Sequence, residues 1–95
     1  MSYTVKRGER VARKILGKVL EIAEERGVEP ESWGTNYWTH YTRTGIAALR
    51  GELSDDDMRG LVALVTKDCD IWDVYEHGID AAVGNIIWDI WDSGE

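Results

Sequence analysis

Residues 5–26, with the sequence VKRGERVARKILGKVLEIAEER, decide the fold class of this chain. Their apolar side chains recur at the three- and four-residue spacing of one helix face, and their cations follow a different face. Gly27 comes next and can adopt the left-handed conformation that ends a helix. The apolar face holds Val11, Ala12, Ile15, Leu16, Val19, Ile22 and Ala23, and the basic face holds Lys6, Arg10, Lys14 and Lys18, with Arg7 and Arg13 beside them. We therefore predict a helix over residues 4–26.

The stretch Ser54-Asp55-Asp56-Asp57 marks the start of another helix. A serine side chain can accept hydrogen bonds from free backbone N–H groups, and the acids after it suit the positive end of the helix dipole. This signal predicts a helix over residues 55–67. Its buried stripe is expected to contain Met58, Leu61, Val62 and Val65.

The other segments also have helical periods, and their connections are short. Glu29-Pro30 and Gly34 indicate a loop over residues 28–35. Gly78 divides the last quarter of the chain, with Ile71, Val74 and Tyr75 opening its apolar face. We predict an all-α fold, a compact bundle of four to five helices in one domain spanning residues 1–95. The predicted helices cover residues 4–26, 36–50, 55–67, 70–77 and 79–92.

Charge is distributed unevenly along the chain, whose formal net charge is −7. Residues 1–50 carry nine basic and six acidic side chains, whereas residues 51–95 carry two basic and twelve acidic ones. We expect the basic face of the first helix to pair with acids of the second half. The acidic half argues against direct nucleic-acid binding, since phosphate contacts need cations, and it suits a partner protein with a basic surface.

Location is predicted from what the sequence lacks. A basic tip followed by an uninterrupted apolar run, as in a signal peptide, is missing. No stretch approaches the ~20 apolar residues that span a bilayer. The single cysteine, Cys69, indicates a reducing compartment. We expect a cytoplasmic protein, in the host cell if a phage encodes it, without a membrane partner.

The aromatic residues give the candidate binding site. Trp38 and Tyr41 are expected in the core with Trp33 covering it, while Tyr37 lies off that face. In the last helix, taking Ile79 as the centre of the buried face puts Trp88 opposite, among aspartates, and Trp91 at the border. Such an exposed indole predicts contact with a partner protein or a second copy of the chain. The predicted binding residues are Trp88, Trp91, Asp80, Asp89, Asp92, Asp73, Glu76 and Tyr37.

Catalytic and metal-binding chemistry finds little support in the sequence. His40, Cys69 and His77, with Asp68, Asp70 and Asp73 nearby, are suitable ligand types, but their spacing matches no familiar zinc site. Cys69 with His77 could act as nucleophile and base, although a lone cysteine is more often a small buried side chain. No glycine-rich phosphate loop is present. We predict a protein that is not an enzyme and holds no metal or cofactor.

Three functions fit these features. The first is an acidic protein-binding module that occupies a basic, nucleic-acid-binding surface of its target; inhibitors encoded by phages and mobile elements, including those of CRISPR and restriction systems, often have this compositional profile. The second is a DNA-binding regulator that uses the basic first helix and dimerises through the last one. The third is a structural or assembly adaptor.

Overall fold

The computed structural model describes residues 3–94, and within them the chain is helical without a β-strand. The helices are α1 (Tyr3–Arg26), α2 (Thr35–Ala48), α3 (Asp55–Asp68), α4 (Ile71–His77) and α5 (Ile79–Asp92), with a 3₁₀ turn at Pro30–Ser32. The predicted all-α bundle is therefore confirmed. The helix boundaries agree with the predicted ones to within two residues.

The helix ends form where the local chemistry requires them. The Ser54 hydroxyl accepts a hydrogen bond from the Asp57 N–H at 3.1 Å, and the Asp57 carboxylate accepts one from the Ser54 N–H at 2.9 Å. This reciprocal capping box begins α3 as predicted. Gly27 has φ +68° and ends α1, also as predicted.

Helix α1 forms its most extensive contact with α3, and two glycines allow the close approach. A Cβ added to Gly8 would lie 2.1 Å from the carbonyl oxygen of Gly60, and one added to Gly60 would lie 2.8 Å from the nitrogen of Gly8. The two backbones therefore touch at this crossing, and only glycine leaves the necessary space. Leu61 and Leu64 of α3 are buried beside it.

Helix α5 lies centrally and contacts α1, α2, α3 and α4. Val83 and Ile87 form the middle of its buried arc and have no exposed surface. The arc is wide because neighbours approach α5 from several directions. On the first helix, the predicted apolar face is buried as expected, with Ile22 half-buried at its edge. None of the described helices has the length and apolar character that crossing a membrane requires.

Four side chains predicted to be buried are exposed instead, which corrects the sequence interpretation. Val62 of α3 points away from α1, because Leu61 and Leu64 occupy the contact. Ile71 and Tyr75 of α4 and Ile79 of α5 are also exposed. The physical reason lies at Gly78, whose φ of +89° and ψ of 163° turn the chain between α4 and α5. The apolar faces on its two sides therefore do not line up.

Candidate functional site

Four of the five tryptophans belong to one aromatic cluster, which we define as Trp33, Trp38, Tyr41, Trp88 and Trp91. Trp38 is its centre and is only 1% exposed. Trp33 meets it edge-on at 5.0 Å between ring centroids, and Trp33 stacks on Tyr41 at 4.4 Å. The predicted positions of Trp33, Trp38 and Tyr41 in the core are confirmed.

Trp88 and Trp91 lie in the same cluster, so the prediction of an outward Trp88 is wrong. Trp88 stacks with Trp38 at 6.4 Å and an interplanar angle of 15°, and Trp91 lies 5.5 Å from Trp38. Both indoles are half-buried against the core. The wide buried arc of α5 explains the difference, because it extends from Val83 and Ile87 round to the two tryptophans.

The exposed aromatic surface lies on α4 instead. Ile71, Trp72 and Tyr75 are 66%, 74% and 86% exposed, and we call these three residues the α4 face. Helical spacing puts them within about 100° of one another around the axis. Val74, which lies next to Ile71 around the axis on the side away from Trp72, is half-buried and packs against the core. Helix α4 itself contains no buried residue.

A cleft of about 1010 Å³ lies beside α4, between it and the other four helices. Carboxylates contributed by α1, α3, α4, α5 and the turn before α4 line it, together with apolar side chains such as Leu64 and Ile86. Arg13 and His77 also reach its wall. We call it the acidic cleft, after its carboxylates Glu9, Asp68, Asp70, Asp73 and Asp89.

Cys69 lines the acidic cleft beside its carboxylates. Burial raises the pKa of Cys69 above its usual value of 9.0, and the charges of Asp68, Asp73 and Asp89 raise it further. A thiol with a raised pKa is a weak nucleophile near neutral pH, since the thiolate is the reactive form. Both effects therefore disfavour the thiolate form of Cys69 near neutral pH.

The acids that the sequence singled out fall into different settings. Asp80 accepts a hydrogen bond from Nε of Arg43 in α2 at 3.0 Å, so its charge is compensated within the chain. Asp73 and Asp89 line the acidic cleft, 16 residues apart in sequence but on facing helices. Glu76 and Asp92 are exposed on the surface. The predicted site is thus divided, and its acids are only partly brought together.

Tyr37 is exposed, at 60% of its surface, on the outer side of α2. It is neither in the aromatic cluster nor among the residues that line the acidic cleft. The structure therefore separates Tyr37 from the other predicted binding residues.

Part of the basic face of α1 pairs with the acidic half of the chain, as predicted. Nε of Arg7 lies 2.9 Å from Oδ1 of Asp57, and Nζ of Lys14 lies 3.5 Å from Oε1 of Glu52. Lys18 pairs within its own helix with Glu21. The Ser54 N–H and the Arg7 guanidinium together hold the pKa of Asp57 below its usual value of 3.8. The two ion pairs made by Arg7 and Lys14 hold α1 against the start of α3 and the turn before it.

Three potential metal ligands lie together on α4. Ligand atoms of Asp73, Glu76 and His77 come within 4.8 Å of one another, and all three side chains are exposed. Nε2 of His77 is 4.0 Å from Oε2 of Glu76. Spacings of three and four residues place any such side chains near each other on a helix, so this grouping does not require a metal.

The sequence interpretation missed Trp72. The sequence pattern could have indicated it, because Asp70 is a typical capping residue and Gly78, eight residues later, ends the segment. A helical wheel drawn for residues 71–77 alone puts Trp72 beside Ile71 and Tyr75, with Glu76 next to it. Assigning Ile71, Val74 and Tyr75 to the buried face of this segment concealed that arrangement.

The comparisons with known proteins leave the site to be interpreted from its own geometry. The chain matches no protein-family model, no curated protein and no solved structure.

Proposed function

We propose that this protein is a non-enzymatic binding module that docks on a basic, nucleic-acid-binding surface of another protein. The observation that carries the proposal is the acidic cleft, where five carboxylates from separate parts of the fold converge. Of these five, Asp70, Asp73 and Asp89 make no ion pair within the described part of the chain, although Asp70 accepts the N–H of Trp72 as a helix cap. A partner's lysines and arginines would supply the missing counter-charges.

Electrostatic attraction of this kind favours specificity and fast association. Carboxylates spread along helices present negative charge at intervals, as a nucleic-acid backbone does. A protein that normally grips phosphates would therefore accept this surface. An inhibitor encoded by a phage or mobile element, acting on a CRISPR or restriction complex, would work in this way.

The regulator alternative receives less support from the contacts. Arg7 and Lys14 of α1 are engaged by the chain's own carboxylates, which weakens the case for phosphate binding. Trp88 and Trp91, the expected dimer contacts, belong to the aromatic cluster. If the protein were a structural or assembly adaptor, the isolated protein should form defined oligomers.

Photo-crosslinking in the host cell, with a photoreactive amino acid at Asn85 in the acidic cleft, would identify the partner. The purified pair would then be studied by calorimetry over a salt series. We expect affinity to fall as salt rises and the partner's own nucleic acid to compete. The double variant Asp73→Asn/Asp89→Asn should bind at least about tenfold more weakly, because two carboxylates no longer face the partner's cations.

The matched control is Glu24→Gln/Glu25→Gln, which removes the same charge from an exposed part of α1 outside the acidic cleft. It should bind the partner like the parent protein. Equal weakening by both double variants would show that only net charge matters and would contradict the proposed site. Retardation of duplex DNA by the isolated protein would favour the regulator, and a defined oligomer that needs no partner would favour the adaptor.

A further inference from the structure

The α4 face is the largest group of exposed apolar side chains on neighbouring positions in the described part of the chain. An aromatic side chain offers about 150–250 Å² of surface, so Ile71, Trp72 and Tyr75 together present on the order of 400 Å². Patches of this size on a monomer are often functional. Tryptophan and tyrosine are also the residues that most often dominate binding energy at protein interfaces.

Helix α4 is built to hold this face outward. Seven residues are too few for a stable isolated helix, so its contacts hold it in place. Oδ1 of Asp70 accepts the Trp72 N–H at 2.8 Å, Val74 packs on the core, and Gly78 ends the helix with a positive φ. The α4 face stays in solvent although the same chain buries its other four tryptophans at least in part.

Acidic side chains border the α4 face on one side. Around the helix axis, Glu76 follows Trp72 and Asp73 comes next, at the edge of the acidic cleft. Both side chains are exposed. A ligand that covers Trp72 would therefore lie against carboxylates as well as rings. A ligand that binds well here must therefore carry both apolar side chains and cations.

A second copy of the chain fits this surface poorly. A symmetric pair of α4 faces would bring the Asp73 and Glu76 carboxylates of both copies together, and like charges repel. The apolar area is also about half of the roughly 800 Å² that each partner buries in a standard interface. Charge complementarity favours a basic occupant.

We infer that the α4 face binds an amphipathic, basic segment of the partner protein. Leucine-type side chains of that segment pack on Trp72 and Tyr75, while its lysines or arginines contact Glu76 and Asp73. This inference rests on the proposed function and gives that function its main apolar contact. It also moves the anchor from Trp88 and Trp91 to Trp72.

A synthetic probe tests the inference before any partner is known. The probe is a 14-residue peptide of leucine and lysine with helical periodicity, and the reference is a scrambled peptide of the same composition. Each is titrated into the ¹⁵N-labelled full chain at physiological salt. We expect shift changes concentrated on residues 70–77 and at least about tenfold tighter binding of the periodic peptide.

Two variants separate the α4 face from other exposed aromatics. Trp72→Ala should weaken binding of the periodic peptide at least about tenfold, and its folding is checked by thermal melting. Tyr37→Ala removes a similarly exposed ring from α2 and should change the affinity less than about twofold. Equal binding of both peptides, or unchanged binding by Trp72→Ala, would overturn the inference.

Further measurements would detect other ligands of the α4 face. A dimer in sedimentation runs that Trp72→Ala dissociates would assign the face to a second copy and overturn the inference. Binding of anionic vesicles through Trp72, with no response to the peptide, would do the same. With the natural partner, weakening by Asp73→Asn/Asp89→Asn but not by Trp72→Ala would reject this inference and leave the proposed function standing. No weakening by either variant would reject both.

Discussion

The aromatic cluster and the α4 face use the same kinds of residue in opposite surroundings. Trp38 is enclosed by Trp33, Trp88 and Trp91, and α5 beside it contacts every other α-helix of the described chain. Trp72 belongs to α4, and the most extensive contact of α4 is with α5. Burial therefore depends on how many elements approach a helix, and residue type by itself does not decide it. The difference separates tryptophans that stabilise the fold from one available for binding.

Alanine substitutions at the two tryptophans give the largest expected contrast. Trp38→Ala should lower the free energy of unfolding by about 3–5 kcal/mol, because it removes the centre of the aromatic cluster. Trp72→Ala should change it by no more than about 0.5 kcal/mol, as for an exposed position. Urea denaturation followed by circular dichroism measures both. Comparable losses for the two variants would show that the α4 face is part of the core.

Glycine substitutions extend the contrast between packed and open surfaces to α1. Gly8→Ala would place a Cβ 2.1 Å from the Gly60 carbonyl oxygen, so α1 and α3 must separate. We expect a loss of about 1–3 kcal/mol or more. Gly17→Ala meets no atom within 4 Å and should gain up to about 1 kcal/mol from helix propensity. Thermal melting of the two variants should thus shift in opposite directions, and a stable Gly8→Ala would contradict the crossing.

The N-terminal ends of α3 and α4 also differ in how firmly the rest of the chain holds them. The expected effect on stability is smaller here than for the tryptophans and glycines. Asp57 fastens the start of α3 through Ser54 and Arg7, whereas Asp70 caps α4 without an ion pair in the described part of the chain. Because the folded-state pKa of Asp57 is lowered, its contribution is complete above the unfolded value of 3.8 and is lost as pH falls through the folded value. Melting temperatures between about pH 6 and pH 2 should therefore fall less steeply for Asp57→Asn. A parallel decline in both proteins would contradict this linkage.

Much of the fold could be predicted because its signals are local. The apolar spacing of α1, the Ser54 cap and the positive-φ glycine at Gly27 each depend on residues within a few positions of one another. All of these are present in the structure. The α1–α3 crossing at Gly8 and Gly60 was not predicted, since it depends on residues 52 positions apart that only the tertiary fold brings together.

The candidate site was predicted less well, for an equally physical reason. A helical wheel assumes one buried face, but α5 has neighbours in several directions, so Trp88 became part of the core. In the helix before Gly78, the apolar pattern placed Ile71 and Tyr75 inside and overlooked Trp72. The acidic character of residues 51–95 was evident from their composition. Which carboxylates share a cleft required the positions of separate helices.

Trp72 alone among the five tryptophans presents an open indole. Solvent paramagnetic relaxation of the five indole N–H signals, recorded with a soluble gadolinium chelate, tests it most directly. We expect strong broadening for Trp72, little for Trp33 and Trp38, and intermediate broadening for Trp88 and Trp91. A Trp72 signal as protected as that of Trp38, or a Trp88 signal as broadened as that of Trp72, would contradict it.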